Sequence, residues 1–200
     1  MKKMMFALGA AALSLSTLVA PIAAAPAQAA VVNNTTPDAF IASLGVDSLA
    51  VLKTGNKAAV RAKFRELLST HFAIDAIGNR LIQRSLPTIT PQQKAAYKAA
   101  FPSFIIGTYS DNLYDYANAS MKVIRSAPAG SGWNVTSTIQ KPGAQPITAV
   151  WSVAKVSGVY QVTNLTVANI NLAITQSQDF NAIIQRKGFD GLVAMMKSRG

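Results

Sequence analysis

The 200-residue chain contains no cysteine. That excludes disulfide staples, thiol nucleophiles and thiolate metal sites. Histidine occurs once, at His71, and only eight acids face nineteen lysines and arginines. A Ser-His-Asp triad would have to use His71, and no Gly-x-Ser-x-Gly elbow accompanies it. A phosphate-binding glycine loop and a histidine-rich metal spacing are also missing. The acids are Asp38, Asp47, Glu66, Asp75, Asp111, Asp115, Asp179 and Asp190. Only Asp111 and Asp115 stand one helical turn apart, which is too little for a metal site or a glycosidase pair. Asp38, Asp75, Asp179 and Asp190 are expected where helices begin, as caps or partners of the helix dipole. An enzyme would have to work through His71 and one acid, and a partly buried packing role describes His71 better. No catalytic residue, metal ligand or cofactor is expected.

Long apolar runs are confined to the beginning of the chain. Lys2 and Lys3 precede an apolar stretch from Ala7 to Val19, Pro21 breaks it, and Ala27-Gln28-Ala29 offers small residues for cleavage. Residues 1–29 are therefore expected to be a cleaved export signal rather than an anchor, and residues 30–200 a single exported domain. No cysteine follows the apolar stretch to carry a lipoprotein anchor. The formal charge of +11 falls to +9 without Lys2 and Lys3. Such a charge favours anionic membrane surfaces or an acidic protein. Export argues against nucleic acid, and the densest basic group, Lys57, Arg61, Lys63 and Arg65, reads as a solvated helix face.

The sequence begins helical and turns to strand. Ala30–Thr36 reads as a flexible end, and Thr36-Pro37 as an N-cap with proline in the first turn. That helix carries Phe40, Ile41, Leu44, Leu49 and Leu52 and ends at Thr54-Gly55. Asn56 caps a second helix, whose Val60, Phe64, Leu67, Leu68 and His71 form an amphipathic stripe. Asp75 is expected to cap a third, carrying Ile74, Ile77, Leu81 and Ile82. Thr90-Pro91-Gln92-Gln93 has the form of a capping box. The helix it starts carries Tyr97, Phe101, Phe104, Ile105, Tyr109 and Leu113, and Pro102 is expected to bend or divide it. Four β segments follow: Met121–Ser126, Trp133–Gln140, Thr148–Val156 and Tyr160–Val167. Short Gly- and Pro-containing connections make them an antiparallel meander. Two short helices should complete the chain. The result is an α+β fold, a four-stranded curled antiparallel sheet packed against several helices.

Half of the residues are hydrophobic, more than the export signal accounts for. They could fill a core, or some could line an apolar pocket between sheet and helices. Composition does not separate these two.

The segment Tyr160–Met196 resembles the C-terminal end of the MlaC-type, or toluene-tolerance, family of periplasmic phospholipid carriers. The match runs through Leu165-Thr166-Val167, Ile170-Asn171-Leu172, Phe180, Ile183, Ile184, Gly188, Leu192 and Val193. His71-Phe72, Thr90-Pro91-Gln92-Gln93, Phe101, Phe104, Thr108-Tyr109 and Asp115-Tyr116 extend the resemblance over the mature chain. Asn169 stands where the family commonly has glycine, Asn164 where it has aspartate, Asn171 where it has serine, and Gln176-Ser177 where it has Tyr-Arg. These departures suggest a divergent branch, one associated with hopanoids or another lipid class.

The resemblance implies a monomeric carrier that moves phospholipid or another membrane lipid. Its expected partners are an inner-membrane ABC transporter complex and an outer-membrane lipoprotein or porin complex, in the service of outer-membrane lipid asymmetry. Acyl chains would be held, not transformed. The candidate lining is Phe101, Phe104, Ile105, Tyr109 and Leu113 from the long helix, Val135, Ile139, Val153, Leu165 and Val167 from the sheet, and Leu172, Phe180 and Ile183 from the C-terminal part. The rival from another class is a basic periplasmic interaction module with a filled core, binding an acidic partner.

Overall fold

The computed structural model describes residues 32–200. The expected export signal over residues 1–29 lies outside them. The helices are α1 (Pro37–Leu52), α2 (Lys57–His71), α3 (Ile74–Leu81), α4 (Pro91–Leu113) and α5 (Leu172–Arg199). A 3-10 turn over Tyr114–Tyr116 leads from α4 into the sheet. The strands are β1 (Ser120–Ala129), β2 (Gly132–Gln140), β3 (Ile147–Val156), β4 (Val159–Val167) and β5 (Ile170–Asn171). They pair antiparallel in the order β1-β2-β3-β4-β5. The fold is α+β as expected, with five strands rather than four. The fifth is only two residues long, too short to display the alternation that marks a strand.

Local chemistry sets most of the helix starts. The Thr36 side chain accepts from the Ala39 N–H at 3.3 Å, and Asn56 accepts from Ala59 at 3.1 Å. Thr90 and Gln93 bond reciprocally, each side chain accepting from the other's N–H at 3.1 and 3.0 Å, which closes the capping box. Two expected acidic starts move. The residue before α3 is Ala73, which offers no side-chain cap, and Asp75 lies in the first turn, where it pairs with Lys98 at 2.8 Å. Asp179 lies well inside α5, because Asn171 already caps that helix by accepting from Ile174 at 3.1 Å.

Pro102 does not divide α4. The N–H it lacks would have reached the carbonyl of Lys98, an exposed residue, where water can take over the acceptor. In α5 the two expected helices abut at Gly188, whose backbone (φ 71°, ψ 175°) is not helical. Asn169 does occupy a turn with positive φ (66°), and Ala168 before it has φ 49°, as a two-residue hairpin turn requires. No helix of the described residues is long and apolar enough to cross a membrane.

The stretch before α1 is not loose. The Asn34 side chain accepts from the Tyr160 N–H at 2.7 Å, the Asn33 N–H donates to Ser43 at 2.8 Å, and Val32 packs against the sheet core. Polar side chains that bond to nearby backbone hold it against β4, a long-range effect that local composition does not reveal. The substitution Asn34→Ala should strand the Tyr160 N–H on a buried residue. It is expected to cost about 1–3 kcal/mol in urea denaturation.

The core has two parts. In one, α1 and α2 pack on the sheet through Phe40, Ile41, Leu44, Leu67, Val135, Val153, Tyr160 and Val162. The other is helical and joins α3, α4 and α5 through Leu81, Ile82, Tyr97, Phe101, Phe104, Phe180, Phe189, Leu192 and Met196. Its aromatic rings stack and tilt at centroid distances of 5.5 to 6.3 Å. Gly107 lets the end of α5 lie on α4, since any Cβ there would strike the Arg199 carbonyl.

Candidate functional site

Strand register identifies the inward face of the sheet. Trp133 pairs with Val153, Val135 with Trp151, Ser137 with Ala149, and Ile139 with Ile147. Trp151 and Ala149 pair in turn with Leu165 and Val167 across β3 and β4, and Val153 pairs with Val162. Paired residues share a face, so all five candidate residues of the sheet, Val135, Ile139, Val153, Leu165 and Val167, look the same way. It is the face that carries the core residues Val135, Val153, Tyr160 and Val162. Extra residues interrupt the alternation at Ile124 in β1 and at Thr163 in β4. A fixed alternation carried through β4 would therefore place half of that strand on the wrong face.

The thirteen candidates then separate by burial. Phe101, Phe104, Val135, Val153 and Phe180 are 0–2% exposed and belong to the two core clusters. Side chains so fully covered belong to the packed interior. Ile105 and Ile183 are half-buried at the margin of the helical cluster. Tyr109, Leu113, Ile139, Leu165, Val167 and Leu172 are half-buried and belong to neither cluster.

These half-buried residues form continuous stripes. Ile105, Tyr109 and Leu113 follow at i, i+4 and i+8, one face of α4. Leu172, Gln176 and Ile183 follow at i, i+4 and i+11 along α5. Packing agrees: α4 rests mainly on α2, α3, α5 and the 3-10 turn, and no strand is among its principal partners. The sheet is held by α1, α2, α3 and α5 instead. Burial falls off toward one end of the sheet. Along β2 it passes from Val135 (0%) and Ser137 (0%) to half-buried Ile139. The segments that meet at that end also carry Leu113, Val167 and Leu172, and these half-buried side chains together make an apolar wall.

Few polar groups interrupt the wall. The Tyr109 hydroxyl donates to Gln176 at 3.1 Å and ties α4 to α5. Burial, and then the Asp179 carboxylate, push the Tyr109 phenol up, so it stays protonated and can donate. The Trp151 indole donates to the fully buried Ser137 hydroxyl at 3.0 Å. Trp151, Trp133 and Ile147 share the inward face but were not among the sequence candidates. Period-2 counting from Val153 and Ala149 would have included Trp151.

His71 ends α2 with its ring edge-on to Phe40, centroids 5.9 Å apart. The acids nearest to it in effect, Asp47 and Glu66, are bonded to Lys63 at 2.8 and 3.0 Å. Burial lowers the His71 pKa from 6.5, against the partial pull of those acids. The folded chain thus binds the His71 proton less readily than the unfolded chain. Stability is full above about pH 6.5 and falls as the pH drops from there through the lower folded value. Urea midpoints at about pH 7.5 and 5.5 should show the loss, and His71→Gln should remove its share. No group of three or more potential metal-ligating side chains occurs among the described residues.

A solved structure from Ralstonia solanacearum, described as a phospholipid-binding protein in complex with a phospholipid, has the same fold. It matches with a TM-score of 0.68 at 22% identity, over 81% of this chain and 95% of that one. The family model "MlaC protein" matches residues 45–198, from the middle of α1 to the last turn of α5. On a match over that much of its length, the chain belongs to the MlaC family.

Proposed function

We propose that this protein is an exported lipid carrier that holds the acyl chains of a phospholipid, or of a related membrane lipid, between α4, α5 and the inward face of the sheet. The observation that carries the reading is the stripe Ile105–Tyr109–Leu113. It is half-buried, and its Tyr109 and Leu113, like Ile139, Leu165 and Val167 on the inward face of the sheet, belong to no core cluster. A core that fills itself has no use for such a wall. Family membership and the phospholipid-binding structural neighbour support the same cargo class.

The mechanism is sequestration. Each methylene withdrawn from water contributes about 0.8 kcal/mol, so a chain of sixteen carbons contributes roughly 12 kcal/mol. Without such shielding a lipid cannot leave a bilayer for an aqueous compartment at a useful rate. The carrier operates in the periplasm, after removal of residues 1–29. It passes lipid between an outer-membrane complex and an inner-membrane ABC transporter. It forms no bond with its cargo and needs no cofactor.

A dequenching assay tests this. Vesicles loaded with self-quenched fluorescent phospholipid should brighten when the purified mature chain extracts it, in proportion to protein added. A protein that extracts neither phospholipid nor any other fluorescent acyl lipid would overturn the carrier reading.

A further inference from the structure

The end of the sheet that carries the apolar wall has a second feature. Four pieces of chain meet there: the connection from β2 to β3, the 3-10 turn, the turn at Ala168–Asn169, and β5 running into α5. Their common location follows from the pairings Ser120 with Gln140, Ile139 with Ile147 and Val167 with Ile170, and from the Ala168 N–H donating to the Thr148 carbonyl at 2.9 Å. Ile170 and Ile174 project from this rim with 55% and 57% of their surface exposed. Tyr116 lies under the Lys141 ammonium at 5.0 Å, and Tyr114 under Lys57 at 5.9 Å. Asp115, between the two tyrosines, is exposed and is the rim's acid among the described side chains.

We propose that this rim is a docking surface for anionic lipid bilayers. Two isoleucines four positions apart in the chain, each with more than half of its surface exposed, leave apolar area in water. The Tyr116 ring beneath the Lys141 ammonium suits the headgroup layer, where the ring sits at the boundary and the charge remains wet, and Lys57 adds a second cation. The formal charge of +9 that remains without Lys2 and Lys3 adds a long-range attraction to anionic lipid. A rim that seats on the bilayer brings the wall to the lipid, so cargo need not cross open water. The proposal takes its purpose from the carrier reading, but its test does not depend on it.

The opposite end of the sheet supplies an internal control. The β3–β4 hairpin exposes Val156 and Val159 at 40% and 44%, beside Lys155 over Tyr160 at 5.0 Å. It is also an apolar pair with a lysine-capped tyrosine, but it is remote from the wall.

Flotation of the purified mature chain with phosphatidylglycerol/phosphatidylethanolamine vesicles, and with pure phosphatidylcholine vesicles, tests the proposal. The wild type should float with the anionic vesicles and much less with the neutral ones, and added salt should weaken binding. Ile170→Asp with Ile174→Asp should reduce binding at least about tenfold. Lys57→Glu with Lys141→Glu should reduce it and flatten the salt dependence. Val156→Asp with Val159→Asp should float as the wild type does. Absence of vesicle binding by the wild type, equal binding by the rim variants, or loss only in the hairpin variant overturns the proposal. A rim variant that floats normally but fails to hand lipid to a protein partner would reassign the rim to that partner, which also overturns it. Lipid content of the same preparations separates the two readings. Lipid-free protein that still floats would contradict the carrier while leaving the rim intact. Lipid-loaded protein that does not float would do the reverse.

Discussion

Placing two tryptophans in the wall, Ile139→Trp and Leu165→Trp, is expected to weaken retention of a long-chain lipid by about 100-fold while leaving the urea midpoint nearly unchanged. Both residues lie on the inward face of the sheet, and both are half-buried outside the core clusters. Each added indole would take up room that belongs to the cargo. If together they displace about four methylenes, the loss at ~0.8 kcal/mol each is about 3 kcal/mol, or about 100-fold in affinity. A filled core responds in the opposite way. There the added bulk forces neighbours off their rotamers and costs about 1–3 kcal/mol per site in stability, with no lipid affinity to lose. Fluorescent-phospholipid retention and denaturant midpoint, measured on the same variant, therefore distinguish a container from a packed interior. Phe180→Ala is a useful contrast. Phe180 is fully buried among Tyr97 and Phe104, so its loss should cost stability first.

A large single-site effect on stability is also expected from Lys63→Ala, at about 3 kcal/mol. Asp47 on α1 and Lys63 on α2 meet at 2.8 Å, with side chains only 8% and 12% exposed. Burial pulls the Lys63 ammonium down, but hydrogen bonds to Asp47 and Glu66 outweigh it and hold the pKa above its ordinary value. Alanine would leave the Asp47 carboxylate without a countercharge in the interface between the two helices that cover the sheet. The pair itself need not be a net gain, because both charges were taken out of water to form it. Asp47→Leu combined with Lys63→Leu should accordingly recover most of the loss. Urea denaturation of the two single variants and the double variant tests this, and additive losses would contradict it.

What the sequence revealed and what it concealed follow the range of the forces involved. Caps act over three residues, so Thr36, Asn56 and the Thr90–Gln93 box were legible. Asp75 and Asp179 were assigned to helix starts because their residue type suits that place. Asp75 does lie in the first turn of α3, but the cap position there is Ala73, which has no capping group, and Asn171 caps α5 eight positions before Asp179. The hold on the N-terminal stretch depends on Asn34 meeting Tyr160, which no local pattern encodes. In the sheet, both faces of β2, β3 and β4 are rich in β-branched residues. The inward face emerges only from pairing, and the extra residues at Ile124 and Thr163 shift it midway.

Within the candidate lining, residue type could not separate Phe101 and Phe104 from Ile105. All are apolar on one helix. Helical position does not separate them either: Phe101, Ile105, Tyr109 and Leu113 follow at i, i+4, i+8 and i+12 in one row, and only burial, which falls off along that row, tells them apart.

Native mass spectrometry of the protein, expressed in an envelope-bearing bacterial host and purified without detergent, tests the central claim most directly. The account predicts a protein mass accompanied by a non-covalent adduct of phospholipid or related lipid size, lost on organic extraction and recovered in the extract. A single lipid-free mass that remains unchanged after incubation with vesicles would contradict it.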